Sequence, residues 1–213
     1  MLVSHRYKFI YLKARKVAGT TIESVLERYC VSPDNEKSYE INHDANYKNT
    51  KHGIISSRMR GKSGGGWYNH KTSSEIKRDL KETEWKNYLK ICNIRNPYDM
   101  VVSWFHYQTK TKGVNKEKFN NFVKNSSKLS LIVNNKRIWS DNNKYDFEYI
   151  RFENMEEDLD RIMKKLGLPK YEIDIPHFKK SIRGDWREYY NEETKEIVYN
   201  LFKDEIELFN YKF

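Results

Sequence analysis

The sequence predicts an α/β fold, a mostly parallel β-sheet flanked by helices, built as a single domain over residues 1–213. Three observations lead there. Short β-prone apolar runs recur three times, and each is followed by a segment with helical periodicity. Apolar residues make up 38% of the chain, a globular rather than a disordered composition. At 213 residues the chain is long enough for one domain with a real core and short for two.

The elements follow in chain order. Residues 8–12 (KFIYL) form the first strand, and a polar loop containing Gly19 comes after it. Residues 20–29 place Ile22, Val25, Leu26 and Tyr29 at helical spacing, so the chain opens strand, tight loop, helix. Residues 31–50 are polar and irregular, and residues 58–66 (RMRGKSGGG) make a basic, Gly-rich loop. Residues 73–80 read as a helix with Ser73 or Ser74 as N-cap. The second strand is residues 88–94 (YLKICNI); Pro97 then suits the first turn of a helix that continues over residues 98–108. A weaker helix covers residues 119–123, and the third strand is residues 147–152. Leu159, Ile162, Met163 and Leu166 define an amphipathic helix over residues 155–166, stopped by Gly167 and Pro169. A last helix runs over residues 192–209.

Composition narrows the partners. A formal net charge of +10 favours anions, whether nucleic acid, a phosphorylated cofactor or an acidic polysaccharide. No recognised nucleic-acid motif is present, so a nucleic-acid partner is not expected. Cys30 and Cys92 read as two buried thiols rather than a disulfide, and the absence of CxxC and HExxH patterns points away from a metal. No apolar run approaches the roughly 18 residues that span a bilayer. Lys8 and Lys13 interrupt the first apolar run, which excludes a signal peptide there; a cytoplasmic protein without a membrane partner is expected.

Strand, basic loop and helix make a ready anion site, because free N–H groups of the first helical turn point at the ligand and the helix dipole favours negative charge. Here the loop is Arg15-Lys16-Val17-Ala18-Gly19-Thr20-Thr21. Gly19 allows close backbone approach to a phosphate, and the threonines are suited to capping the helix or donating to the anion. Gly61-Lys62-Ser63 imitates the end of a Walker A loop, but Ser56 stands where that motif needs a glycine, which argues against a P-loop-type kinase. A second element is Arg95-Asn96-Pro97-Tyr98-Asp99-Met100-Val101-Val102-Ser103. An arginine at a strand's carboxyl end offers a fork to a phosphate, and a serine on the next helix adds a hydroxyl. Taken alone, the same residues also read as an Arg–carboxylate surface pair beside a buried helical serine.

Together the two elements resemble the sulfotransferases that use 3′-phosphoadenosine-5′-phosphosulfate (PAPS), most of all the carbohydrate-type branch, whose loop reads Pro-Lys-Thr-Gly-Gly-Thr. Arg15 stands at the proline and Ala18 at a glycine. The resemblance continues through Ile150-Arg151-Phe152-Glu153-Asn154 and the final Glu207-Leu208-Phe209-Asn210-Tyr211-Lys212-Phe213. Lys179-Lys180-Ser181-Ile182-Arg183-Gly184-Asp185-Trp186 is similar to a nucleotide-clamping segment of the cytosolic branch. Residues 31–66 and 110–144 lie outside it. The resemblance implies a P-loop-like architecture, PAPS as donor and PAP as product, without a metal. It implies that Arg15, Lys16, Val17, Ala18, Gly19, Thr20 and Thr21 hold the 5′-phosphosulfate, with Lys16 also catalytic. Arg95 and Ser103 are then expected on the 3′-phosphate, with Lys180 and Arg183 closing over it.

An acceptor hydroxyl needs a base, and histidine is the usual one near neutral pH. The six candidates are His5, His43, His52, His70, His106 and His177. His70 matches the family position, a histidine just before the helix that leads to the Arg-Asn-Pro strand; His52 and a carboxylate such as Glu23 are the alternatives. His106, one turn past Ser103, reads as a helix-packing residue. The Lys, Asn and Tyr content of residues 31–66 and 110–144 suits a polar small-molecule or glycan acceptor. The rival readings are a P-loop-type kinase and a basic nucleic-acid-binding module.

Overall fold

The structure, a computed structural model, describes residues 1–40, 47–57, 66–139, 147–171 and 184–213. Its first elements are β1 Leu2–Ser4, β2 Phe9–Leu12, α1 Gly19–Leu26, α2 Pro33–Glu36, β3 Lys48–Thr50, β4 Gly53–Ile55, α3 Ser73–Asp79 and α4 Glu82–Asn87. Then come β5 Leu89–Ile94, α5 Pro97–Thr109, α6 Lys116–Lys124, α7 Ser130–Val133, α8 Lys136–Trp139, β6 Phe147–Arg151, α9 Met155–Lys165, α10 Glu192–Leu201 and α11 Lys203–Leu208. The chain divides into two compact units. One comprises Met1–Ala14, Ala18–Ile94 and Arg137–Phe178; the other Arg15–Val17, Arg95–Lys136 and Lys179–Phe213.

The first unit holds the sheet, whose strand order is β3-β4-β1-β2-β5-β6. The three strands expected from sequence are β2, β5 and β6, and they pair in parallel. β1, β3 and β4 add an antiparallel half, so the sheet is mixed rather than mostly parallel. Each of these three has only three residues, too few for a period-two pattern to register. Leu12 of β2 faces Cys92 of β5, so both strands run out at the same edge of the sheet.

All four residues of β2 are buried, the mark of a strand covered on both faces. Phe9 and Tyr11 share a core with Ile22, Val25 and Leu26 of α1, Ile91, Ile150, and Leu159 and Ile162 of α9. Helix α9 ends as its sequence requires: Gly167 is left-handed (φ 61°), Leu168 N–H donates to the Met163 carbonyl (2.9 Å) and Gly167 N–H to that of Lys164 (3.1 Å). Helix α3 starts at Ser73 as expected, but its N-cap is Thr72 rather than Ser73 or Ser74, in a capping box with Glu75. Both cysteines are buried free thiols.

The second unit is helical, with an aromatic core. Phe105 of α5 meets the rings of Phe119 and Phe122 of α6 edge-on, each at 5.4 Å. His106 Nδ1 donates to the Thr111 carbonyl (2.6 Å) and Nε2 lies 2.8 Å from the Tyr189 hydroxyl, which gives it the packing role its spacing suggests. The helix expected over residues 192–209 is two helices. Phe202 leaves the helical basin (φ −118°, ψ 20°) while its side chain is buried, and α11 restarts from there. Among the described residues no helix is long and apolar enough to cross a membrane.

Candidate active site

The loop after β2 has an unusual backbone. Lys16 (φ 64°) and Ala18 (φ 60°) are both left-handed. That conformation costs a residue with a Cβ roughly 1–2 kcal/mol, so neighbouring groups must enforce it. Within the second unit, Arg95 donates from Nη1 to the Lys16 carbonyl (3.0 Å). Buried Asn135 accepts from Arg15 N–H through Oδ1 and donates from Nδ2 to the Arg15 carbonyl, both at 2.9 Å. Lys16 Nζ sits 4.6 Å from the centre of the Tyr107 ring, which also carries the Lys110 ammonium at 4.7 Å.

Helix α1 begins without a side-chain cap and without an acidic residue in its first turn. Its N-cap is Ala18, whose carbonyl takes the amides of Thr21 (3.0 Å) and Ile22 (3.4 Å). The amides of Gly19 and Thr20 have no partner among the described residues. The threonines do not cap the helix: Thr21 is buried and its carbonyl accepts from the Ser24 hydroxyl (2.7 Å). Gly19 has a packing reason beyond phosphate approach. A Cβ there would lie 2.8 Å from Lys13 Cγ and 3.2 Å from the Tyr11 hydroxyl. Val17 is buried. The Arg15 side chain is half-buried, with no ion pair or hydrogen bond among the described residues, and burial lowers its pKa from the ordinary value.

Arg95 is the first residue after β5, and its fork makes a carboxylate pair, buried rather than at the surface as the sequence alone suggested. Nε (2.8 Å) and Nη2 (2.5 Å) both donate to Asp99 Oδ2, and the pair is buried. Ser103, two turns further on, is half-buried, and its hydroxyl has no partner among the described residues.

In the first unit, His70 Nδ1 lies 2.9 Å from the Lys13 carbonyl, at the end of β2. A carbonyl only accepts, so in the neutral ring Nδ1 carries the hydrogen and Nε2 is the basic nitrogen. The alternatives fare differently. Glu23 is buried and ion-paired with Lys13 (2.5 Å). His52 sits in the β3–β4 turn. His5 lies 3.1 Å from the hydroxyl of Tyr88, the residue before β5, and so at the opposite edge of the parallel strands. Lys180, Arg183, His43, His177 and residues 58–65 of the Gly-rich loop lie outside the described residues.

Asn135 is the residue that sequence reasoning missed. It lies in the stretch outside the family resemblance, between one-turn helices α7 and α8, and 120 residues from its partner Arg15. No local signal marks it. A family model described as "Sulfotransferase family" matches residues 1–212, and so runs through both units. No curated protein matches the chain. With a left-handed basic loop feeding an uncapped helix after one parallel strand, and an Arg–Asp pair after its neighbour, the match across the chain settles its kinship: it is an enzyme that belongs to the sulfotransferase family.

Proposed function

We propose that the chain transfers a sulfuryl group from PAPS to a hydroxyl of a carbohydrate or other polar acceptor, and that residues 1–213 serve as one domain in doing so. The observation that carries the reading lies in residues 15–21. That stretch offers two backbone amides at an uncapped helix start and an Arg15 guanidinium without an anion partner among the described residues. Such groups fit a phosphosulfate, which brings both negative charge and acceptor oxygens.

When bound, PAPS supplies an activated sulfuryl group on a phosphate that leaves in line with the attacking hydroxyl. The amides of Gly19 and Thr20 and the Arg15 guanidinium hold the 5′-phosphosulfate, with Val17, Ala18 and Thr21 shaping the loop. Lys16 leaves the Tyr107 ring and places its ammonium at the oxygen where charge develops. Arg95 and Ser103 take the 3′-phosphate; the support is their place after a parallel strand's carboxyl end and a Ser103 hydroxyl that has no partner among the described residues. Lys180 and Arg183 join them by family resemblance. His70 accepts the acceptor's proton at Nε2, the Lys13 carbonyl holding its other nitrogen in the donor form.

Thermal unfolding with PAP tests the donor. PAP at about 100 times its Kd stabilises the fold by roughly 2.7 kcal/mol, and Arg15→Ala weakens that binding. An unchanged Tm with saturating PAP, or an equal shift with ATP–Mg²⁺, refutes the assignment.

A further inference from the structure

We infer that Asn135 is a positioning residue for sulfuryl transfer: with Arg95 it fixes the backbone of Lys16 and so the reach of its ammonium. The inference rests on the donor reading above. The two bonds between Asn135 and Arg15 are each 2.9 Å and form a closed pair, acceptor to N–H and donor to carbonyl. A primary amide presents both groups in one plane at this spacing, and the partners leave no ambiguity over which atom is Oδ1.

The pair acts on the peptide plane that precedes Lys16, because the Arg15 carbonyl belongs to it. Arg95 acts on the plane that follows, through the Lys16 carbonyl at 3.0 Å. Two adjacent peptide planes define φ and ψ of the residue between them. Pinning both therefore sets Lys16 in its left-handed conformation, φ 64°, which is costly for a residue with a Cβ.

Both clamps are themselves held. Asn135 is buried, its own N–H donates to the Ile132 carbonyl (3.0 Å), and its Nδ2 also lies 3.3 Å from Met100 Sδ of α5. Arg95 is locked by Asp99 in the first turn of α5. Without Asn135 the preceding plane is free to flip, and the ammonium no longer starts from one place.

The test compares wild type, Asn135→Ala and Asn135→Asp in Tm without ligand, in Kd for PAP, and in turnover of labelled PAPS, with water as proxy acceptor. Misplacement of a catalytic group by about an ångström costs turnover on the order of 10²-fold. Asn135→Ala should therefore lose about 10- to 100-fold in kcat while Kd for PAP rises by less. Asn135→Asp adds a readout that simple destabilisation cannot imitate. Protonated aspartic acid keeps the donor–acceptor pair of asparagine, whereas the carboxylate turns a second acceptor on the Arg15 carbonyl. Its kcat relative to wild type should thus be low at pH 8 and recover several-fold at pH 5, and this near-isosteric variant carries the test if the alanine variant does not fold. Variants that lose Tm but keep wild-type kcat, or an aspartate variant whose relative kcat ignores pH, overturn the inference while wild-type PAP binding upholds the donor. Wild-type protein that does not bind PAP overturns the donor reading, and this inference with it.

Discussion

Glu205 of α11 is a carboxyl in the wrong solvent. It is 8% exposed and its Oε1 has no hydrogen-bond partner among the described residues. Burial, opposed by the Lys136 charge and reinforced by Asp204, pushes its pKa from an ordinary 4.5 up to about 8. Between those two values the unfolded chain releases this proton and the folded chain keeps it. Stability therefore falls as pH rises, by about 1.4 kcal/mol per pH unit, and the loss at pH 7 approaches a ceiling of about 3 kcal/mol. Glu205→Gln keeps the shape and removes the titration, while its buried amide costs about 1–2 kcal/mol. The variant should be about 1–2 kcal/mol more stable than wild type at pH 7, and less stable near pH 4.5. Urea unfolding of both proteins from pH 5 to 8 measures the difference. Other groups cancel in that comparison. Burial raises the Glu75 pKa, but hydrogen bonds from Thr72 and Tyr68 outweigh it and hold the group at about 2; its stabilisation is complete above 4.5 and lost as pH falls toward 2, outside the window. Stability curves for wild type and Glu205→Gln that run parallel from pH 5 to 8 would show that the buried carboxyl ionises freely, and the reasoning fails.

Two further outcomes are expected. His70→Ala should lose about 10²–10⁴-fold in turnover with PAP affinity nearly unchanged, and the rise of rate with pH through the imidazole range should vanish; near wild-type turnover would move the base role to His52 or to a carboxylate. Gly19→Ala should cost about 1–3 kcal/mol by overpacking against Lys13 and Tyr11, read as a lower Tm; an unchanged Tm would mean that α1 shifts away without cost.

The parallel half of the fold was legible because β2 and β5 are buried apolar runs, each followed by a loop and helix with their own punctuation. The antiparallel half was not, since β3 is three exposed polar residues and β1 and β4 are equally short. The break at Phe202 escaped because no glycine or proline marks it and the apolar spacing continues across it. At the site, the sequence allowed an Arg–carboxylate pair at Arg95 but placed it on the surface, whereas the pair with Asp99 in the first turn of α5 is buried. The left-handed Ala18 was harder. Its position is a glycine in the family loop, and an alanine holds the shape here only because the surroundings impose it. Asn135 acts across 120 residues, and no window of sequence contains both partners.

That distance also orders events in time. Strands β1 and β2 form a hairpin in which Ser4 faces Phe9, a closure that a nascent chain makes almost at once. The ladder between β2 and β5 joins Leu12 to Cys92, and closing a segment of that length costs about 4 kcal/mol of chain entropy. The clasp on the loop comes later still. A ribosome adding roughly 5–20 residues per second needs about 6–24 s to travel from Arg15 to Asn135. Until β5 emerges the hairpin waits with an apolar strand uncovered, and until residue 135 emerges the peptide groups of Arg15 lack their Asn135 clasp. The backbone of the loop after β2 is therefore completed late in synthesis, by a residue 120 positions downstream of the one it clasps.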